Sequence, residues 1–285
     1  MNRILKKRML SETVCQMEID APLIARNRKA GQFVILMVDA EHGERIPLTI
    51  ADADPKRGSI TIIFQTVGAT TTKLAHLGIG DTLPAVLGPL GRPTHLPEKP
   101  ARVVCVGGGI GVAPMHPIAQ ALKAAGHDVT IIMGARTASL FVMEDEMRQI
   151  AGDKLVLVTD DGSKGTKGVV TAPLKELCER GIVDEVIAIG PPIMMKFCAL
   201  TTKPFGVKTT VSLNTIMIDG TGMCGGCRVS VGGKTRFVCV DGPEFDGHEV
   251  DWDQMLSRMG AFKPEEQKAR EKTCNLFKMA DAKEA

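Results

Sequence analysis

The chain has 285 residues, 44% apolar and 24% charged, with a formal net charge of +2. That length suits two domains plus an appendage, and the composition is that of a folded protein. The interspersed charges exclude the one-signed footprint of a nucleic-acid binder, and the longest apolar run, residues 33–38, is far too short to span a membrane.

Residues 1–97 read as β-rich. Candidate strands cover 4–10, 14–19, 33–38, 48–51, 59–65 and 82–87, separated by turn signals such as Asp54-Pro55-Lys56-Arg57-Gly58. One short helix is expected at 71–76. Short strands with regular turns predict a small β-barrel or sandwich. Two stretches here carry chemistry. In Arg45-Ile46-Pro47-Leu48-Thr49, a guanidinium and a hydroxyl on one strand can grip a pyrophosphate, although the same residues suit a plain edge strand. In Gly68-Ala69-Thr70-Thr71-Thr72, hydroxyls and free N–H groups at a helix start make an anion site, or simply a threonine cap.

Residues 98–205 change character. Strands at 101–106, 128–133, 154–159 and 185–189 alternate with helices at 115–125, 142–150 and 173–179, the pattern of a parallel α/β sheet. The first strand runs into Gly107-Gly108-Gly109-Ile110-Gly111-Val112-Ala113-Pro114. A glycine loop between first strand and first helix is where such sheets hold phosphates. Pro114 stands where a third fingerprint glycine would be, and suits the first position of the helix.

Residues 206–248 hold the densest motif: Asp219, Cys224 and Cys227 at x4 and x2 spacing, then Cys239 beyond a hairpin-like segment at 228–238. Plant-type iron–sulfur loops space cysteines as C-x4-C-x2-C…C, so Asp219 stands at the first ligand position. Gly220, Gly222, Gly225 and Gly226 allow a loop to turn its N–H groups toward sulfur. A C-x-x-C also suits zinc or a redox dithiol. The upstream nucleotide-type sequence favours a [2Fe–2S] cluster. Acidic residues at 12, 18 and 20 break up the basic start as no signal peptide would. Eight cysteines then predict a reducing, cytoplasmic setting, with Cys15, Cys105, Cys178, Cys198 and Cys274 as packed or surface residues. The tail, 249–285, reads as one or two helices over 252–277, with Trp252, Met255, Leu256 and Met259 on a packing face.

Taken together, Arg45-Ile-Pro-Leu-Thr49, Leu87-Gly-Pro-Leu-Gly91, the Gly107–Pro114 loop, Thr159-Asp-Asp-Gly-Ser163, Gly190-Pro-Pro192 and Cys224…Cys239-Val-Asp-Gly-Pro243 resemble the ferredoxin reductase superfamily. Within it the chain is similar to the electron-transfer subunits of dihydroorotate dehydrogenase B and, more closely, to the small subunits of NADH-dependent reduced ferredoxin:NADP oxidoreductases. The resemblance implies four parts: an FAD-binding Greek-key barrel (1–97), an NAD-binding α/β domain (98–205), a [2Fe–2S] subdomain (206–248) and a helical tail (249–285). FAD would meet Arg45, Pro47, Leu48, Thr49, Phe64, Gly68, Thr71 and Thr72. NAD would meet Gly88, Gly109, Ile110, Gly111, Ala113, Pro114, Gly190 and Pro191. Asp160 and Asp161 would face the adenosine ribose, disfavouring a 2′-phosphate, while Arg136 favours one. Asp219, Cys224, Cys227 and Cys239 match the cluster ligands.

Three departures stand out. Asp219 replaces the cysteine of the dihydroorotate-type subunit, as the bifurcating-type subunit would have it. Leu48 fills the place of the superfamily's flavin-side tyrosine. The Arg-to-Thr separation is one residue longer than usual, and a one-residue slip turns a strand side chain to the other face. The expected activity is electron transfer between NAD(H), FAD and a [2Fe–2S] cluster, to or from a larger flavin/iron–sulfur subunit, in flavin-based electron bifurcation with ferredoxin reached through that partner. Alternatives are the dihydroorotate dehydrogenase B subunit, a stand-alone NADH:acceptor reductase, and a zinc-stabilised nucleotide-binding scaffold. No nucleic-acid or membrane partner is expected.

Overall fold

The structure, a computed structural model, describes residues 2–41 and 43–284, and side chains as far as residue 275. Chain order begins β1 (Asn2–Met9), β2 (Val14–Asp20), α1 (Pro22–Asn27), β3 (Phe33–Met37), β4 (Arg45–Asp54), β5 (Ser59–Gln65), α2 (Ala69–His76), β6 (Thr82–Leu83) and β7 (Ala85–Leu90). The expected strand at 82–87 is thus two, interrupted at Pro84, which lacks an N–H for the ladder. The sheet order β6-β1-β2-β5-β4-β3-β7 begins and ends with segments consecutive in the chain, so the sheet curls into a nearly closed antiparallel barrel. Alternate residues such as Ile4, Met17, Ile19, Leu36, Ile50, Ile60, Ile62 and Phe64 fill it. Helix α1 was not expected; it is only six residues long and starts at Pro22, whose fixed φ suits a first helical position.

The second half continues β8 (Arg102–Gly108), α3 (Val112–Ala124), β9 (Asp128–Ala135), α4 (Glu144–Ala151), β10 (Leu155–Thr159), β11 (Thr166–Lys167), α5 (Thr171–Glu179), β12 (Glu185–Ile189), α6 (Pro192–Thr202) and β13 (Lys208–Ser212). Then come β14 (Arg228–Val231), β15 (Lys234–Phe237), the single turn α7 (Val238–Asp241), β16 (Glu244–Asp246), α8 (Trp252–Met259) and α9 (Lys263–Glu284). The large sheet has the order β11-β10-β9-β8-β12-β13-β16. All its neighbours pair in parallel except β16, which returns antiparallel to β13. The near-continuous apolar runs of β8, β9 and β12 reflect strands buried on both faces.

The apolar cores cross the divisions read from sequence. Phe33 and Ile35 of β3 pack in one cluster with Val104, Val211, Cys227, Val238, Cys239, Trp252 and Met255. Val14, Ala51 and Ile63 of the barrel pack in another with Val112, Ala113 and Met115 of α3. Barrel, α/β sheet and cysteine region therefore share interiors.

At this junction, Glu244 of β16 is partly buried and accepts a hydrogen bond from Thr94 Oγ1 at 2.6 Å. No cation pairs with it among the described residues. Burial pushes its carboxyl up to about 7, and the Thr94 bond offsets this only in part. The folded chain thus keeps this proton until about pH 7, whereas the unfolded chain releases it near the ordinary value of 4.5. The folded state then binds more protons, so stability falls as pH rises from 4.5 to about 7. Calorimetry should find Glu244→Gln melting a few degrees above the parent at pH 8, an advantage that vanishes toward pH 4.5; parallel pH profiles would contradict this.

Candidate functional site

The first site lies at the barrel's outer surface. In β4, Ile46 and Leu48 pack toward the barrel core with Ile50, leaving Arg45, Pro47 and Thr49 on the opposite face. The longer Arg-to-Thr spacing therefore puts both side chains on one face. Leu48 turns away from that face, and Phe64 is 2% exposed within the barrel core. Both side chains support the strand from inside, so these two residues offer their backbone, not their side chains, to a ligand on the outer face. Thr70 Oγ1 donates to Glu44 Oε2 at 2.6 Å, which ties the first turn of α2 to the start of β4. Gly68 N–H donates to Thr71 Oγ1 (3.0 Å), and the Thr71 and Thr72 hydroxyls donate to the Gly68 carbonyl (3.1 and 2.9 Å). Those hydroxyls brace the turn, so the first N–H groups of α2, which have no intrahelical acceptor, are left free to meet an anion.

The second site follows from strand order. β8 lies between β9 and β12, so the chain leaves β8 toward opposite sides of the sheet, and the crevice at such a reversal is where open α/β sheets take ligands. Gly109, Ile110 and Gly111 form a tight turn at the end of β8. Gly190 and Pro191 follow β12, in register beside it, since Ile189 pairs with Gly107. Gly109 has φ +54° and open space where a Cβ would stand, so its backbone can approach a ligand. A Cβ on Gly111 would lie 2.3 Å from the Ile189 carbonyl oxygen, so that glycine holds helix against strand. Helix α3 starts at Val112, making Pro114 its third residue and not its first. The proline still falls in the first turn, where a missing N–H breaks no intrahelical bond. The Ala113 side chain is packed inward, leaving its backbone to the site.

Arg136, Asp160 and Asp161 are exposed at the ends of β9 and β10, on this same edge. Asp161 N–H reaches the Arg136 carbonyl (3.3 Å). The Asp161 carboxylate accepts from Ser163 Oγ (2.6 Å) and N–H (2.9 Å), bonds that hold it below the usual carboxylate range. Gly88 lies apart from this group, in β7 against Val34 of β3.

The third site is the cysteine loop. Asp219 Oδ1 accepts from Thr221 N–H (2.8 Å) and Oδ2 from Cys224 N–H (2.7 Å), and the Cys224 thiol lies within hydrogen-bonding reach of the same carboxylate. Thr221 first, then Cys224, hold the Asp219 carboxyl below its ordinary range. Cys227 and Cys239 are buried, with Sγ atoms 3.3 Å apart. Burial first, then the Cys227 thiol, push Cys239 up to about 12. Gly226 N–H points at Cys224 Sγ and Cys239 N–H at Cys227 Sγ, each at 3.4 Å.

The donors therefore stand as two pairs, Asp219 with Cys224 and Cys227 with Cys239. No group of three or more His, Cys, Asp or Glu side chains among the described residues converges as a single ion would need. Two thiolates on one tetrahedral metal sit roughly 3.7 Å apart, given metal–sulfur bonds of about 2.3 Å; the Cys227–Cys239 pair is close to that. Paired donors with N–H groups aimed at sulfur fit a dinuclear cluster, with two protein ligands per iron.

The loop is anchored on all sides. Gly220 has φ +73°, and a Cβ there would meet Ile35 at 2.6 Å and Leu90 at 2.9 Å, so the loop rests directly on β3 and β7. Arg258 of α8 donates to the Gly226 carbonyl at 3.2 Å, tying the tail to the loop. Sequence reading missed that anchor and the loop's apolar rim, where Met223 is 87% and Ile218 55% exposed. Two apolar residues beside Asp219 and Cys224 were the available signal.

A nucleotide crevice, an outward barrel strand with an anion site, and paired metal donors define an oxidoreductase subunit of the ferredoxin-reductase-like class, and comparison with known proteins agrees. Residues 105–199 match the oxidoreductase NAD-binding domain, and residues 214–251 match the iron-sulfur cluster binding domain of dihydroorotate dehydrogenase B. The chain is 47% identical, over 93% of both chains, to a dihydroorotate dehydrogenase B (NAD(+)) electron transfer subunit homolog from Thermotoga maritima. It is 35% identical to the corresponding electron transfer subunit of Bacillus caldolyticus, over 87% of this chain and 96% of that one. A solved structure described as giving insights into flavin-based electron bifurcation via the NADH-dependent reduced ferredoxin-NADP oxidoreductase matches at 45% identity and TM-score 0.89, over 95% and 97% of the two chains. The chain belongs to the family of dihydroorotate dehydrogenase B-type electron-transfer subunits. It is an oxidoreductase subunit acting with NAD(H), and its cofactors are FAD and a [2Fe–2S] cluster. Among the described residues no helix is long and apolar enough to cross a membrane.

Cys227→Ser should lose the cluster iron while keeping FAD, since its thiol belongs to the buried pair and not to the barrel. Cys198→Ser, in the apolar core, should keep both. Iron and flavin content per purified chain checks this; full iron in the Cys227 variant would remove it from the ligand set.

Proposed function

We propose that this chain carries electrons between NAD(H) and a larger flavin/iron–sulfur subunit, through its own FAD and [2Fe–2S] cluster, as one arm of flavin-based electron bifurcation. The observation that carries the reading is the seat of Gly220 on Ile35 and Leu90. It puts the cysteine loop on β3 and β7, next to β4, the strand whose outer face bears Arg45, Pro47 and Thr49. In this reading Arg45 and the first turn of α2, from Gly68 through Thr71 and Thr72, hold the FAD pyrophosphate, while Pro47 and Thr49 lie against the flavin. Gly109 to Pro114, with Gly190 and Pro191, cradle the NAD pyrophosphate, and Gly88 borders the nicotinamide entry. Asp160 and Asp161 accept from the adenosine ribose hydroxyls, so NADH is preferred to NADPH despite Arg136.

Flavin accepts a hydride as two electrons and releases them singly, and an iron–sulfur cluster accepts one at a time. The protein's own residues supply orientation and exclusion of water. Apolar Ile35 and Leu90 fill the space between flavin strand and cysteine loop. Cys224, the exposed ligand, and the apolar rim of Ile218 and Met223 face outward, where the partner subunit docks. Ferredoxin is reached through that partner, in the cytoplasm. The aspartate at 219 favours this assignment over a dihydroorotate dehydrogenase, whose subunit resembles this one but has cysteine there; a carboxylate, a harder donor than thiolate, also alters the cluster potential.

Anaerobic purification should give flavin bands, two irons per chain and a larger co-purifying subunit, with NADH bleaching the flavin. One zinc and no flavin would overturn the reading. Asp219→Cys should keep the cluster but move its potential in a redox titration; an unmoved potential would exclude Asp219 as a ligand.

A further inference from the structure

Strand β4 is not regular. Its pairing with β5 runs Ile50↔Ile62 and then Asp52↔Thr61, so Ala51 is an extra residue, a β-bulge. A bulge leaves the extra residue's backbone outside the ladder, and bulges recur beside active sites, where they re-aim a strand. Ala51 is 1% exposed, so its carbonyl cannot turn to water for a partner. The partner comes from the other half of the molecule: His116 Nδ1 lies 3.2 Å from the Ala51 oxygen. The imidazole is itself 5% exposed. A carbonyl only accepts, so Nδ1 carries the proton in this contact.

The location gives the bond its meaning. His116 is one turn into α3, the helix opened by the Gly109 loop, and Ala51 lies two residues beyond Thr49 on the flavin strand. The rest of this joint is apolar: Val14, Ala51 and Ile63 against Val112, Ala113 and Met115. Apolar contact is non-directional and tolerates small slides. A buried hydrogen bond to a bulge carbonyl has one register. We propose that His116 is a positioning residue for hydride transfer: by bonding the bulge carbonyl of Ala51, it fixes the NAD-binding helix against the flavin strand. The proposal rests on the NAD and FAD assignments above.

Two amide substitutions test it in the FAD- and cluster-loaded protein. The amide nitrogen of His116→Asn can stand where Nδ1 stands, whereas that of His116→Gln falls where Nε2 stands and misses Ala51. Flavin reduction is followed by anaerobic stopped-flow with NADH and with NADH deuterated at C4. His116→Asn should stay within about twofold of the parent at saturating NADH, and His116→Gln should slow by about tenfold or more, with a larger deuterium isotope effect and unchanged NADH affinity, flavin and iron content. Should His116→Gln not fold, His116→Leu, shaped like asparagine but without its N–H, takes its place with the same expected loss. Equal saturating rates and isotope effects in the donor and non-donor variants would overturn the proposal. Lost flavin or NADH affinity with an unchanged saturating rate would do the same, marking a packing role. A parent protein whose flavin NADH cannot reduce would overturn the functional reading instead.

Discussion

The constraint on which the structure depends is that the barrel cannot bury β3 by itself. Phe33 and Ile35 point out of the barrel into a core completed by the α/β sheet, the cysteine loop and α8. Hydride chemistry tolerates little error in distance, and electron transfer needs its centres held close; separate modules on flexible linkers would provide neither. Here the apolar surface that each part must hide is hidden by the others, so geometry follows from burial. β16 shows the same economy: the chain leaves the cysteine loop at Cys239 and immediately pairs with β13 at the edge of the nucleotide sheet.

That arrangement makes β4 and its neighbours a shared platform. Approaching from one side, α3 meets β4 at the Ala51 bulge. From another, Gly220 presses on β3 and β7. In the proposed assignment, hydride exchange and single-electron exchange belong to different approaches to one strand group, with Ile35 and Leu90 packed between. Polar groups at the junction are few and each has a fixed partner: Thr94 with Glu244, Gln32 Nε2 with the Gly91 carbonyl, Arg92 N–H with the Gly242 carbonyl.

Much of this was legible in the sequence, for identifiable reasons. Short β-rich runs set off by turn signals located the barrel strands, strands alternating with helices located the parallel sheet, and the Gly107–Pro114 loop fell at its switch point because glycine-rich strand–helix turns are dictated locally. That Asp219, Cys224, Cys227 and Cys239 gather in one region was readable because their spacing is a property of the chain. Less legible were questions of facing: strand parity turns the Leu48 and Phe64 side chains into the barrel. Parity in β4 depends on where pairing starts and where the Ala51 bulge resets it, and neither is written in local composition. Helix α6 and strand β13 escaped notice because the Pro191-Pro192 start masks a helix and Lys208–Ser212 is too polar to read as a buried strand.

The cysteine loop shows how a carboxylate can replace a thiolate without loss of local order. Asp219 accepts two backbone N–H bonds, from Thr221 and Cys224, and so shapes the turn that presents Cys224. A cysteine there could accept only weakly, and the loop would have to be held by other means. If Asp219 is a ligand as proposed, it acts twice, on the donor set through the hardness of oxygen and on the fold of the loop through its hydrogen bonds. Only the first effect reaches the potential directly. The second keeps the Asp219–Cys224 pair in place beside the buried Cys227–Cys239 pair. In the proposed assignment, a loop with one buried and one exposed donor pair would present its cluster to two environments at once: a dry one facing the barrel, and an open one beside the exposed Ile218 and Met223.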